Sequence, residues 1–290
     1  MADERNILCL PENKNSYGYT YPLEWVPVES GLFAHIGSQL QGLVLDVFAY
    51  VSFIKWHVEW CLIGDSCSQY DQIPQGVEKK GLIVFLHALD HPVGMWKEYI
   101  DQLTAYREYD VWAPRIKDYG NTGLESALSE LIRPLENYLT KWPERPVVLI
   151  GSSNGARLGL ALEIRMRKYP NRILLIAISG VFNGTNRLWI RWLFTNSNLY
   201  QEYKLSSRHS LLLLDKARRP VSKAGFREYI FYGAGKDIAI SPINSSFPLL
   251  GKREKVFFVP EEGHVSIVNT LKFVILGQAM RWLNNIPDFD

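Results

Sequence analysis

The chain has 290 residues, 47% hydrophobic and 13% aromatic, enough to bury the core of one large α/β domain or two small ones. Its 32 basic and 30 acidic side chains leave a net charge of +2, so no global field favours nucleic acid or an acidic polymer as partner. Cys9, Cys61 and Cys67 are too few, and odd in number, for a disulfide framework, and the N-terminus carries Asp3 and Glu4 without a signal-like apolar run, so a reduced, cytoplasmic setting is expected.

Residues 1–80 read as an N-terminal extension dominated by the apolar stretch 42–64. Asp46, Lys55, His57 and Glu59 interrupt that stretch, which weakens a membrane-spanning reading. Val44, Val47, Phe48, Val51, Ile54, Val58 and Leu62 recur at intervals of three or four and predict an amphipathic helix with this stripe packed on the core. The alternative is a helix lying on a lipid surface, with Trp56 and Trp60 at the boundary.

From Gly81 onward, apolar runs alternate with amphipathic stretches. Strands are expected at 81–87, 109–114, 147–151, 172–180, 227–233 and 255–260, and helices at 95–108, 124–142 with a kink at Pro134, 156–169, and 271–283. Strands buried on both faces lose strict alternation, so the pattern predicts an α/β fold: a mostly parallel central sheet with helices on both faces, occupying residues 81–290. Residues 182–225 exceed a simple crossover and are expected to form a cap or lid containing the run "NRLWIRWLF" at 186–194.

Between the strand "VVLIG" and the helix that follows stands Gly151-Ser152-Ser153-Asn154-Gly155, a G-x-S-x-G pattern. A turn this sharp strains its middle residue and leaves no room for side chains at the bracketing positions, while lifting the central hydroxyl to a helix N-terminus. Ser153 is therefore the candidate nucleophile, and Ser152 the rival that the turn aims elsewhere. Of six histidines only His264 follows the last expected strand, which makes it the candidate base. Asp237, beyond the strand before it, is the candidate orienting carboxylate, with Asp215 as the rival.

The order nucleophile, acid, histidine, together with "YGAGKD", "EEGHVSIV" and the H-G-like loop in "LIVFLHALDHPVGMW", resembles the α/β-hydrolases, with lipases and esterases nearest. The resemblance covers about residues 81–290 and departs from the pattern at Ala88, where a glycine is usual, and at Ser152 and Asn154 beside the nucleophile. It implies an acyl-enzyme serine hydrolase acting on a carboxylic ester or thioester, with the backbone N–H groups of Leu89 and Asn154 as the oxyanion hole. His87 would then fix the oxyanion loop, His91 would line the entrance, and Trp189 and Trp192 would contact an apolar acyl chain from the cap.

The expected partner is a small-molecule or lipid ester, with peripheral membrane contact through the 42–64 helix or the cap, and no nucleic acid. No metal-ligand spacing, P-loop or dinucleotide fingerprint is present, so no cofactor and no metal is expected. The competing class is a hydrolase-fold relic that binds a ligand or partner without turnover.

Overall fold

Each uniformly apolar run after Gly81 becomes a strand because helices cover it on both sides. The computed structural model describes residues 8–9, 37, 40–48, 51, 58, 70–74, 79–89, 91–186, 197–219, 225–240, 243–251 and 254–284. Its strands are β1 (Leu8–Cys9), β2 (Leu82–Leu86), β3 (Asp110–Trp112), β4 (Val147–Ser152), β5 (Ile173–Ile178), β6 (Arg227–Ala234) and β7 (Glu254–Val259). Across the sheet the order is β1-β7-β6-β5-β4-β2-β3; β2 to β7 pair in parallel, and β1 joins β7 antiparallel. The two-residue β1 had no pattern of its own in the sequence. β3 is shorter than the expected 109–114; Pro114, just beyond it, has no N–H to offer a ladder.

The helices are α1 (40–48), α2 (Lys97–Tyr106), α3 (Leu124–Lys141), α4 (Asn154–Arg165), α5 (Ser197–Tyr203), α6 (Arg208–Arg218), α7 (Ser266–Thr270) and α8 (Lys272–Leu283). Successive strand residues feed two separate cores. In β4, Val147 and Leu149 pack with α3 and α4, whereas Val148 and Ile150 pack with α2 and α8. α3 continues through Pro134 to Lys141, presenting Leu128, Leu131, Leu135 and Leu139 to the core on one face.

The N-terminal helix is a correction. Residues 37, 40–48, 51 and 58 are helical, but the stripe expected to pack on the core faces outward: Val44 is 52% exposed, Phe48 72% and Val51 59%. The buried face of α1 carries Gly42 and Asp46 instead. A Cβ at position 42 would lie 2.2 Å from the Lys236 carbonyl oxygen, so backbone meets backbone there and a large side chain has no room. Among the described residues no helix is long and apolar enough to cross a membrane.

Of the 182–225 segment, α5 and α6 are described; Trp189, Trp192 and the rest of the aromatic run lie outside the described residues. α6 contributes Leu213, Leu214 and Ala217 to the α4 side of the core. α5 is tied to the core by Glu202, which accepts a hydrogen bond from Arg157 Nη1 of α4 at 3.0 Å and from the Leu124 N–H of α3 at 3.2 Å. Arg157 is fully buried, with its guanidinium 5.3 Å from the Tyr203 ring centroid.

Removing one partner of a buried ion pair leaves an uncompensated charge, at a cost of about 3–5 kcal/mol. Glu202→Ala is expected to lower unfolding stability by that amount in urea denaturation. A loss under about 1 kcal/mol would show that Arg157 finds water or another acceptor.

Candidate active site

Strand register brings the loops to one edge. Leu86 pairs with Gly151, Ser152 with Ile178, Ile178 with Tyr232 and Ala234 with Val259, so the chain leaves β2, β4, β5, β6 and β7 at nearly the same level. β3 lies outside β2 while β4 lies inside it, so the strand order reverses between β2 and β4. Open α/β sheets bind ligands at such a switch point.

Ser153 stands there with φ 52° and ψ −115°, a positive-φ conformation that costs a non-glycine residue on the order of 1–3 kcal/mol. Its N–H bonds the Ile178 carbonyl at 2.9 Å, which holds the turn down on β5. The glycines are sterically required: a Cβ at 151 would lie 2.4 Å from the Gly155 oxygen, and one at 155 would lie 2.0 Å from the Leu86 oxygen. Ser152 is the last residue of β4 and is buried; Ser153 caps α4.

His264, in the loop between β7 and α7, places Nδ1 2.8 Å from Asp237 Oδ2. The other carboxylate oxygen of Asp237 accepts the N–H groups of Ala239 and Ile240, both at 2.8 Å, so this carboxylate is held on both sides. Burial disfavours the charged imidazole, but the attraction and hydrogen bond of Asp237, reinforced by Asp46, raise His264 above its ordinary value. The rival Asp215 lies exposed on α6, paired with Arg219. Among the described residues the Ser153 hydroxyl makes no hydrogen bond to His264, a contact that in serine enzymes often tightens only with substrate in place.

The loop after β2 is built by two neutral histidines. His87 Nε2 accepts the Ile116 N–H at 3.1 Å, which puts the proton on Nδ1 beside the Ala88 carbonyl, 2.9 Å away. His91 is buried, with Nδ1 2.7 Å from the Leu89 carbonyl. Burial lowers both rings to about 4. Ala88 occupies its position without a positive φ, so the glycine usual there is not needed for this turn. The side chain of Asn154 donates to the Gly120 carbonyl at 3.1 Å, tying the 117–120 turn to the start of α4. Asn154 opens α4, so its N–H has no acceptor within the helix; Leu89 is on the facing loop.

Asp46 had been visible only as an interruption of an apolar run. Its Oδ2 accepts the His264 N–H at 3.0 Å, and its Oδ1 accepts those of Val265 at 2.7 Å and Ser266 at 3.2 Å. Burial pushes this carboxyl up, against the lowering influence of His264 and of the Val265 and Ser266 N–H groups, while Asp237 adds to the rise. Among the described residues no three His, Cys, Asp or Glu side chains converge as a metal site.

No family model matches the chain, and no curated protein matches it in sequence. Solved structures match it in shape. A metagenome-derived lipolytic enzyme superposes with a TM-score of 0.52 at 11% identity, over 74% of this chain and 98% of its own. A peroxisomal alpha-beta-hydrolase of Saccharomyces cerevisiae gives a TM-score of 0.52 at 12% identity, over 75% of this chain and 82% of its own. With the parallel sheet, its strand order and the strained turn after β4, these neighbours show the fold: the chain has an α/β-hydrolase fold.

Gly155→Ala is expected to force α4 from β2 and destabilise by about 3 kcal/mol, the upper end of the usual overpacking range. Gly277→Ala, in α8 with nothing within 4 Å of the new Cβ, is expected to stabilise by about 0.5–1 kcal/mol instead. Thermal or urea unfolding of the pair checks both signs.

Proposed function

We propose that the chain is a serine hydrolase that cleaves a carboxylic ester or thioester by acyl transfer, with Ser153 as nucleophile, His264 as general acid and base, and Asp237 orienting the imidazole. The observation that carries this reading is the 2.8 Å His264–Asp237 contact, at the same sheet edge as the strained Ser153 turn. Asp237 on Nδ1 selects the tautomer that leaves Nε2 free to accept a proton.

Ser153 Oγ forms a bond to the acyl carbon as its proton passes to His264 Nε2. The carbonyl oxygen takes the negative charge between the N–H groups of Leu89 and Asn154, where the α4 N-terminus favours an anion. The bond to the leaving oxygen or sulfur breaks, and that atom receives the proton from His264. Water then gives its proton to His264 and adds to the acyl carbon, and the carboxylic acid departs as Ser153 regains its proton.

The acyl group of a small-molecule or lipid ester is received beside His91, with Trp189 and Trp192 as its apolar contacts. The neighbour described as lipolytic and the one described as an alpha-beta-hydrolase support a hydrolase in general terms.

A fluorophosphonate probe is expected to label the protein at Ser153, and Ser153→Ala to abolish both labelling and hydrolysis of nitrophenyl esters, a loss of ~10⁶ in kcat. Asp237→Asn is expected to cost ~10⁴ through the wrong tautomer. Ligand binding without labelling would favour the relic.

The pH profile follows from the sign at His264. The base must be neutral and its value lies above 6.5, so kcat/KM is expected to rise with pH through a midpoint above 6.5. A midpoint near 4, where the two histidines of the β2 loop titrate, would move the base to one of them.

A further inference from the structure

We infer that Asp46, on the N-terminal helix α1, is a positioning residue for His264: its carboxylate holds the backbone of residues 264–266 and so sets where the imidazole stands. This rests on the reading of Ser153, His264 and Asp237 given above. Three converging N–H donors at 2.7–3.2 Å fit a carboxylate and no apolar side chain.

The fit is close on both sides. A Cβ at Gly263 would lie 2.5 Å from Asp46 Oδ1 and 3.0 Å from the Gly42 oxygen, and one at Gly42 would strike the carbonyl of Lys236, the residue before Asp237. One face of α1 therefore touches both loops that carry the histidine and its carboxylate. The loop is braced from its own side as well, since Ser266 Oγ accepts the Gly263 N–H at 2.9 Å and donates to Glu262 at 2.6 Å.

The charge of Asp46 also acts on the ring. Among the described residues the groups facing His264 are Asp237 from the turn after β6, His91 from the loop after β2, and Asp46 from α1. Glu262 is taken up by Ser266 and Thr270, and Lys236 by Glu261. Two carboxylates thus favour the imidazolium. Removing either one lowers the His264 value.

The test is Asp46→Asn in the full chain, isosteric but uncharged and presenting an amide NH₂ to N–H donors. NMR titration of the His264 ring is expected to show a lower value than in the wild type. Turnover of a nitrophenyl butyrate is expected to fall in kcat by about tenfold to a hundredfold with KM changed less than about twofold, because the reacting geometry is disturbed and the acyl site is not. The acidic limb of kcat/KM moves to lower pH with the ring.

A folded Asp46→Asn with a lower melting temperature but an unmoved His264 titration would make the contact merely structural and overturn the inference. Where this variant does not fold, Gly42→Ala decides: its methyl lifts α1 from the Lys236 carbonyl, and the same downward shift is expected, an unmoved titration overturning the inference. A wild type that neither labels nor turns over defeats the hydrolase reading separately, because the ring titration needs no turnover.

Discussion

How closely α4 approaches β2 controls the geometry of the sheet edge. With the Leu86 carbonyl standing where a Cβ at 155 would be, the first turn of α4 lies against the strand backbone rather than on a layer of side chains. That approach forces Ser153 into its positive-φ turn and puts its hydroxyl at the end of β4. It also brings the start of α4 beside the end of β2, where a Cβ at 155 would also meet the His87 carbonyl oxygen at 2.7 Å. Burial of the flanking β4 and α4 residues on both sides of the sheet holds the strain in place.

Around this edge three histidines are driven in opposite directions. His87 and His91 each stand beside a backbone carbonyl, and burial dominates, keeping them neutral down to about pH 4. His264 is partly buried, yet two carboxylates reverse the sign of the shift. The environments of otherwise identical groups thus push their values apart, which is the separation the proposed role of His264 requires. A charged His264 further lowers His91, adding to the effect of its burial.

Much of this could be read from sequence because it is written in local chemistry. Six strands, the turn at Ser153, and the placement of Asp237 and His264 after strand ends follow from apolar runs punctuated by glycine. β1 could not be read, since two residues on an edge have no periodicity and owe their extended form to β7. The stripe on α1 misled for a deeper reason: periodicity locates an apolar face but does not say which face the rest of the chain needs. Here the inward face is chosen by close backbone approach at Gly42 and by convergent N–H donors at Asp46, both set by loops more than 190 residues downstream. A lone carboxylate inside an apolar helical run was the available signal.

Asp46 and Glu202 solve the same problem at two places. α1 and α5 are peripheral to the sheet, and apolar contact alone would let either slide, since it is non-directional. Each is fixed by one carboxylate that reaches backbone N–H groups of the core: Asp46 those of residues 264 to 266, and Glu202 that of Leu124 together with the Arg157 guanidinium. A buried carboxylate tolerates no displacement that strands it without donors, so it specifies position more sharply than its net stabilisation suggests. The two anchors differ in what they hold. Glu202 is bound to the body of α3 and α4, whereas Asp46 grips the loop that carries the proposed base.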